Sequence, residues 1–307
     1  NPLFARVIVN RLWQHHFGSG LVTTPDNFGV LGQPPTHPEL LDWLASELVR
    51  ENWSLKAMHR LMLTSSTWQM TSRITDMSAE TKDPQNRLLH RMPVRRLEAE
   101  AIRDAMLAVS GSLNREMGGV GIMPHLTPFM EGRGRPGKSG PLDGNGRRSL
   151  YLNVRRNFLT PMFLAFDYPT PLTSMGRRSV SNVPAQALTL MNSEFVIQQA
   201  RLWAERDVMD RTESDLAGLK EADSTSPNAP PDRKPEPAES VEDRLDRLRI
   251  QRLYRKAFAR APHESEVAAA RQFVRAQSAD YPADDRLSAW ADLCHVLLNV
   301  KEFIFVR

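Results

Sequence analysis

Asn1-Pro-Leu-Phe-Ala-Arg-Val-Ile-Val-Asn10-Arg-Leu-Trp-Gln-His-His-Phe-Gly18 opens the chain. Asn caps a helix well, and Pro is tolerated in a first turn, where its missing N–H costs nothing. Phe4, Ile8 and Leu12 recur at four-residue spacing, as do Val9, Trp13 and Phe17, and Gly18 supplies a stop. The opposite stripe carries Arg6, Asn10 and Gln14, with Arg11 and His15 beside it. An amphipathic helix that packs against others is expected.

The same grammar recurs along the chain. Gly20 to Pro35 reads as a Gly/Pro loop, and Thr36-His37-Pro38-Glu39 as a capping box opening a helix through Leu48. Ser54 is expected to cap a helix with Leu55, Met58, Leu61 and Met62 inward. Leu97 to Ser110 reads as a helix closed by Gly111. Gly118 to Gly146 holds nine Gly and four Pro, which excludes regular structure. Ser149 to Val154 reads as the one short strand. Helices follow at Pro184–Met191 and Ser193–Met209, then near Val241–Ala259, Pro262–Gln277 and Asp284–Leu298.

The expected fold is therefore all-α or mostly α and multi-helical, with long Gly/Pro-rich central loops and at most one small strand element. Three regions are expected. Residues 1–211 form an N-terminal helical lobe with a basic middle, 212–240 an acidic Pro-rich linker, mobile by composition, and 241–307 a C-terminal helical lobe.

At 307 residues, with 41% hydrophobic and 25% charged residues, the chain has ordinary globular composition. No stretch reaches the roughly 20 apolar residues of a membrane span. The N-terminus has neither an initiator Met nor the features of a signal peptide, so a cut piece or mature fragment is expected. One cysteine, Cys294, excludes an internal disulfide and any Cys-x-x-Cys site. The net charge of +4 is unevenly spread. From Glu131 to Arg178, nine Arg and Lys oppose three acids, a net of +6, whereas from Ala204 to Asp246 thirteen acids oppose six bases, a net of −7.

Gly132-Arg-Gly-Arg-Pro-Gly-Lys-Ser139 satisfies the P-loop expression, but Gly140, Pro141, Gly144 and Gly146 forbid the phosphate-binding helix that must follow. His15, His16, Asp26, Asn27 and His37 form a polar cluster whose His and Asp side chains offer metal ligands or a general acid–base pair, with His15, Asp26 and His37 the catalytic candidates. Their spacing is no metal signature, and no metal is expected. Asn10, Arg11, Gln14 and Asn27 read as a polar network, with Arg11 as the donor to Asp26. Paired guanidiniums suit anions, which makes Arg95 and Arg96, read as sitting at a helix start, together with Arg155, Arg156, Arg177 and Arg178 candidates for an anionic ligand or partner, alongside Arg147-Arg148. Nucleic acid is disfavoured, because the arginines carry no docking motif or aromatic series.

The opening segment through His15, Thr24-Pro-Asp-Asn-Phe-Gly29 and Pro34-Pro-Thr-His-Pro-Glu-Leu-Leu-Asp-Trp-Leu-Ala45 together resemble a planctomycete-specific domain family of unknown function. So do Arg95-Arg-Leu-Glu-Ala-Glu-Ala-Ile-Arg-Asp-Ala-Met-Leu107, Pro184-Ala-Gln-Ala-Leu188 and Met191-Asn-Ser-Glu-Phe-Val196. The resemblance implies an exported protein, periplasmic or on the cell surface. In that family the domain closes a long polypeptide, behind another uncharacterised domain and often a c-type cytochrome module. It implies the preceding domains as partners, haem only on that separate module, and no established activity, so no catalytic residue is carried over. An interaction or scaffold module is the leading expectation. An enzyme acting on an anionic or carbohydrate substrate, with a site near the first helix and residues 24–37, and an anion-binding module using the paired arginines are the alternatives.

Overall fold

The computed structural model describes residues 1–224 and 240–306 and is mostly helical, with one two-stranded sheet among those residues. They divide into two compact units.

Unit 1 comprises residues 1–96, 169–179 and the C-terminal Phe305-Val306. Helix α1 (Pro2–Phe17) starts as expected: the Asn1 side chain accepts from the Leu3 N–H at 3.0 Å, and Gly18 ends the helix with φ +83°. A Cβ at Gly18 would also lie 2.9 Å from Arg95 Cδ. Helices α2 (Pro38–Arg50) and α3 (Leu55–Leu63) pack on α1. Val9 and Leu48 are sealed, and Trp13 stacks on Phe17 with ring centroids 4.1 Å apart. The short α4 (Met77–Lys82) follows. Strand β1 (Arg95–Arg96) then pairs antiparallel with β2 (Phe305–Val306), Arg95 opposite Val306.

Unit 2 comprises residues 97–168 and 180–304. Its helices are α5 (Ala99–Ser110), α6 (Pro161–Ala165), α7 (Pro184–Asn192), α8 (Glu194–Ala204), α9 (Thr212–Ser224), α10 (Val241–Phe258), α11 (Glu264–Ser278), α12 (Arg286–Asn299) and α13 (Lys301–Ile304). A π-helical turn, Glu205–Met209, continues α8. Ile102, Met106, Trp203, Ile250 and Leu298 are fully buried. Gly111 closes α5 in the left-handed conformation, φ +82°.

Five expectations need correction. Residues 241–307 do not form a lobe of their own. Helix α12 packs along α8, and α10 packs on the π turn, so helices before and after the linker share one core. Within 212–240, residues 212–224 are helical, and the Pro-rich stretch 225–239 lies outside the described residues. Ser149–Tyr151 is a 3-10 turn rather than a strand, because Asp104 Oδ1 accepts from both the Ser149 N–H and its hydroxyl, each at 2.7 Å. The Thr36 capping box does not form. Helix α2 begins at Pro38 with no side-chain cap, and Thr36 instead gives its N–H to the Leu21 carbonyl at 2.9 Å. Ser54 does cap α3, accepting from the Ala57 N–H at 3.3 Å, but Leu55 faces outward.

Candidate functional site

In unit 1 the sequence-derived site residues are engaged separately. Asn10 is fully buried and clamps the following loop, donating to the Val22 carbonyl at 3.1 Å and accepting from its N–H at 2.8 Å. Gly20 is the residue this clamp allows, since a Cβ there would approach Asn10 Nδ2 to 2.7 Å. Arg11 is exposed and makes no hydrogen bond to Asp26. The Asp26 carboxylate instead accepts from the Gly176 N–H at 3.0 Å, an approach so close that a Cβ at Gly176 would lie 1.9 Å from Oδ1. The expected Arg11–Asp26 pair is thus replaced by a backbone contact across 150 positions. Asn27 closes its own turn by accepting from Gly29 at 3.0 Å, and Gln14 Oε1 is buried with no hydrogen-bond partner among the described residues. His37 Nδ1 lies 3.0 Å from Thr36 Oγ1, and the Arg95 guanidinium donates to the His15 carbonyl.

A pair that the sequence reading passed over lies beside this. His16 on α1 and His59 on α3 meet with Nε2 and Nδ1 2.8 Å apart, and Trp68 stands edge-on to His16 at 5.4 Å. Burial pushes the His16 imidazole below its ordinary value, helped by the positive potential of His59, Arg95 and His15. Two neutral imidazoles can share one proton along this line. No three His, Cys, Asp or Glu side chains gather as a metal-ligand set among the described residues.

The arginines split by role. Arg95 and Arg96 sit in β1 rather than opening a helix; both are half-buried. Arg177 is exposed and Arg178 half-buried in the loop of unit 1. In unit 2, Arg155 and Arg156 are exposed, with Arg155 Nη2 3.3 Å from Met123 Sδ. The deeply buried guanidiniums are others. Arg103 on α5 donates to the carbonyls of Arg147 at 2.9 Å and Asp143 at 2.6 Å and to Ser149 Oγ at 3.1 Å. It thereby staples the Gly-rich loop to its helix, and burial lowers its pKa. Arg147 lies over the Tyr151 ring at 4.1 Å. Gly132–Ser139 forms turns that no α-helix directly follows, only a 3-10 turn at Gly144–Gly146, and Ser139 Oγ accepts from the Leu126 N–H at 2.9 Å.

Unit 2 also holds two ionic centres. Asp207, in the π turn, is 2% exposed, takes Lys256 Nζ at 2.5 Å and accepts from Trp203 Nε1 at 2.9 Å. Asp246 and Arg249, both on α10 and both buried, pair at 3.2 Å. They line a cleft of about 350 Å³ between α10, α11 and the start of α12. Desolvation pushes the Asp246 carboxyl above the usual range, against the pull of Arg249. Neither centre announced itself in the sequence, where an Asp and an Arg on an amphipathic helix read as solvated surface. The one thiol, Cys294, is fully buried and held well above its ordinary pKa by desolvation.

No described helix is long and apolar enough to cross a membrane. Comparison with curated proteins and with solved structures finds no match. A family model described as "PSD1: Protein of unknown function (DUF1553)" matches residues 1–274. With most of its length inside that match, the chain belongs to the PSD1 (DUF1553) family of proteins of unknown function.

Proposed function

We propose that this chain is an interaction module of an exported multidomain protein, and that unit 1 carries its docking surface for a preceding domain of the same polypeptide. The observation that carries the reading is an apolar patch on α1. Leu3, Phe4 and Val7 stand on one side of the helix, and Trp53, from the turn before α3, brings its ring to 5.3 Å from Phe4. Phe4 is 58% exposed and Trp53 43%. Large aromatic side chains left in water beside aliphatic ones are what interface centres contain. Val30 and Leu31, at a loop tip of the same unit, are almost fully exposed as well. The resemblance described above supplies the occupant, and a haem-bearing module elsewhere in the polypeptide belongs to the same proposal.

Hydrogen exchange tests it. Amides near the start of α1 and around Trp53 should exchange more slowly in the full-length polypeptide than in this chain alone. A Phe4→Ser/Trp53→Ser double variant, which alters exposed side chains, should abolish that difference. Equal exchange in the two wild-type proteins would end the proposal.

A further inference from the structure

In unit 2, residues 127–139 form a loop whose two ends are fastened together. The Gly140 N–H donates to the Pro124 carbonyl at 3.0 Å, and the Leu126 N–H to Ser139 Oγ at 2.9 Å. Residues 151–153 are tied to the chain leading into it: the Ile122 N–H donates to the Tyr151 carbonyl and the Asn153 N–H to the Ile122 carbonyl, both at 2.8 Å. A loop closed at its base presents its tip as a unit. What this tip presents is an aromatic ring among cations. Phe129 is 94% exposed. Arg133, Arg135 and Lys138 follow it, all exposed and none with an ion-pair partner among the described residues. Arg155, held beside the base by its contact with Met123 Sδ at 3.3 Å, and Arg156 are exposed as well. Against these five cations the loop sets one acid, Glu131.

The two features together narrow the partner. Cations alone suit any polyanion, through an attraction that salt screens. A ring left almost wholly in water gains only where an apolar phase lies within reach behind the negative charge. An anionic bilayer offers that order, with phosphate at its surface and, beneath it, the headgroup–acyl boundary where aromatic rings settle. Each guanidinium or ammonium near such a surface strengthens the attraction. We infer that this loop is a peripheral membrane contact: Arg133, Arg135, Lys138, Arg155 and Arg156 bind anionic phospholipid headgroups, and Phe129 enters the boundary beneath them. The contact uses none of the residues of the docking patch on unit 1, so either can fail without the other.

Co-sedimentation of the intact chain with vesicles tests this, using phosphatidylcholine alone and an equal mixture of phosphatidylcholine and phosphatidylglycerol. Binding to the mixed vesicles should be about tenfold tighter or more, and should weaken as salt is raised. Arg133→Ser/Arg135→Ser/Lys138→Ser, which removes charges that hold nothing in the fold, should weaken it about tenfold or more and leave Tm unchanged. Phe129→Ser should weaken it about fivefold, again with Tm unchanged. Soluble polyglutamate serves as a polyanion without an apolar phase and should compete poorly. No binding to the mixed vesicles, or equal binding to the neutral ones, would overturn the assignment. So would binding that Phe129→Ser leaves intact, polyglutamate binding as tight as the vesicles', or loss of vesicle binding in the Phe4→Ser/Trp53→Ser variant.

Discussion

Among the described residues, unit 1 buries two polar side chains, both neutral amides, Asn10 and Asn86, whereas unit 2 buries five charged ones: Arg103, Arg147, Asp207, Asp246 and Arg249. Unit 1 is held by an apolar seam between three helices, with Asn10 closing one loop. Unit 2 must satisfy buried charge at several points. Arg103 is met by carbonyls and a hydroxyl, and Asp207 by Lys256 and the Trp203 indole. Desolvated charge adds little net stability when paired and is very costly when stranded. Unit 2 should therefore be the less tolerant of single substitutions, and its charges the more informative about how α8, α10 and α12 are arranged.

The largest test is Asp207→Ala. It leaves Lys256 and the Trp203 N–H without their acceptor, and should cost about 3–5 kcal/mol in denaturant unfolding. An Asp207→Leu/Lys256→Met double variant should recover most of that loss, because it strands no charge. A single-variant loss below about 1 kcal/mol would place Asp207 with ordinary surface pairs and erase the contrast between the units.

A smaller effect is expected at the Asn10 clamp of unit 1. Asn10→Ala removes the partners of both Val22 backbone groups, and unsatisfied buried groups cost about 1–3 kcal/mol. Proteolysis of the loop after Gly18 should accelerate with it. A variant as stable and as resistant as wild type would show that the apolar seam alone holds this loop.

The smallest concerns the His16–His59 pair. The folded chain holds His16 below its ordinary value of 6.5, so the unfolded chain binds the proton more readily. The neutral pair's contribution is complete above about pH 6.5 and declines as pH falls from there towards the lower folded value. Tm measured between pH 7.5 and 5 should drop more in wild type than in His16→Phe. Parallel curves would remove the pair from the account.

Much of the secondary structure was legible because its signals act over a few residues. Asn1, Ser54 and Gly111 do at helix ends what their side chains or free φ allow, and the three C-terminal helices lie close to where their apolar spacing put them. The failures came where a local group found a distant partner. Thr36 gave up its cap to the Leu21 carbonyl, Ser149 turned towards Asp104, and Arg95-Arg96 paired with the C-terminal strand instead of starting a helix. The candidate site was less legible still. The amphipathic stripe identified Asn10 as a residue needing a partner, but the partner is Val22. Asp26 found Gly176, and His16 found His59, because packing brings together positions that periodicity treats as unrelated. Capping and helical spacing are short-range properties that a sequence carries by itself. Which charge is buried, which carboxylate meets which amide, and which helices share a core depend on contacts that exist only once the chain has closed on itself.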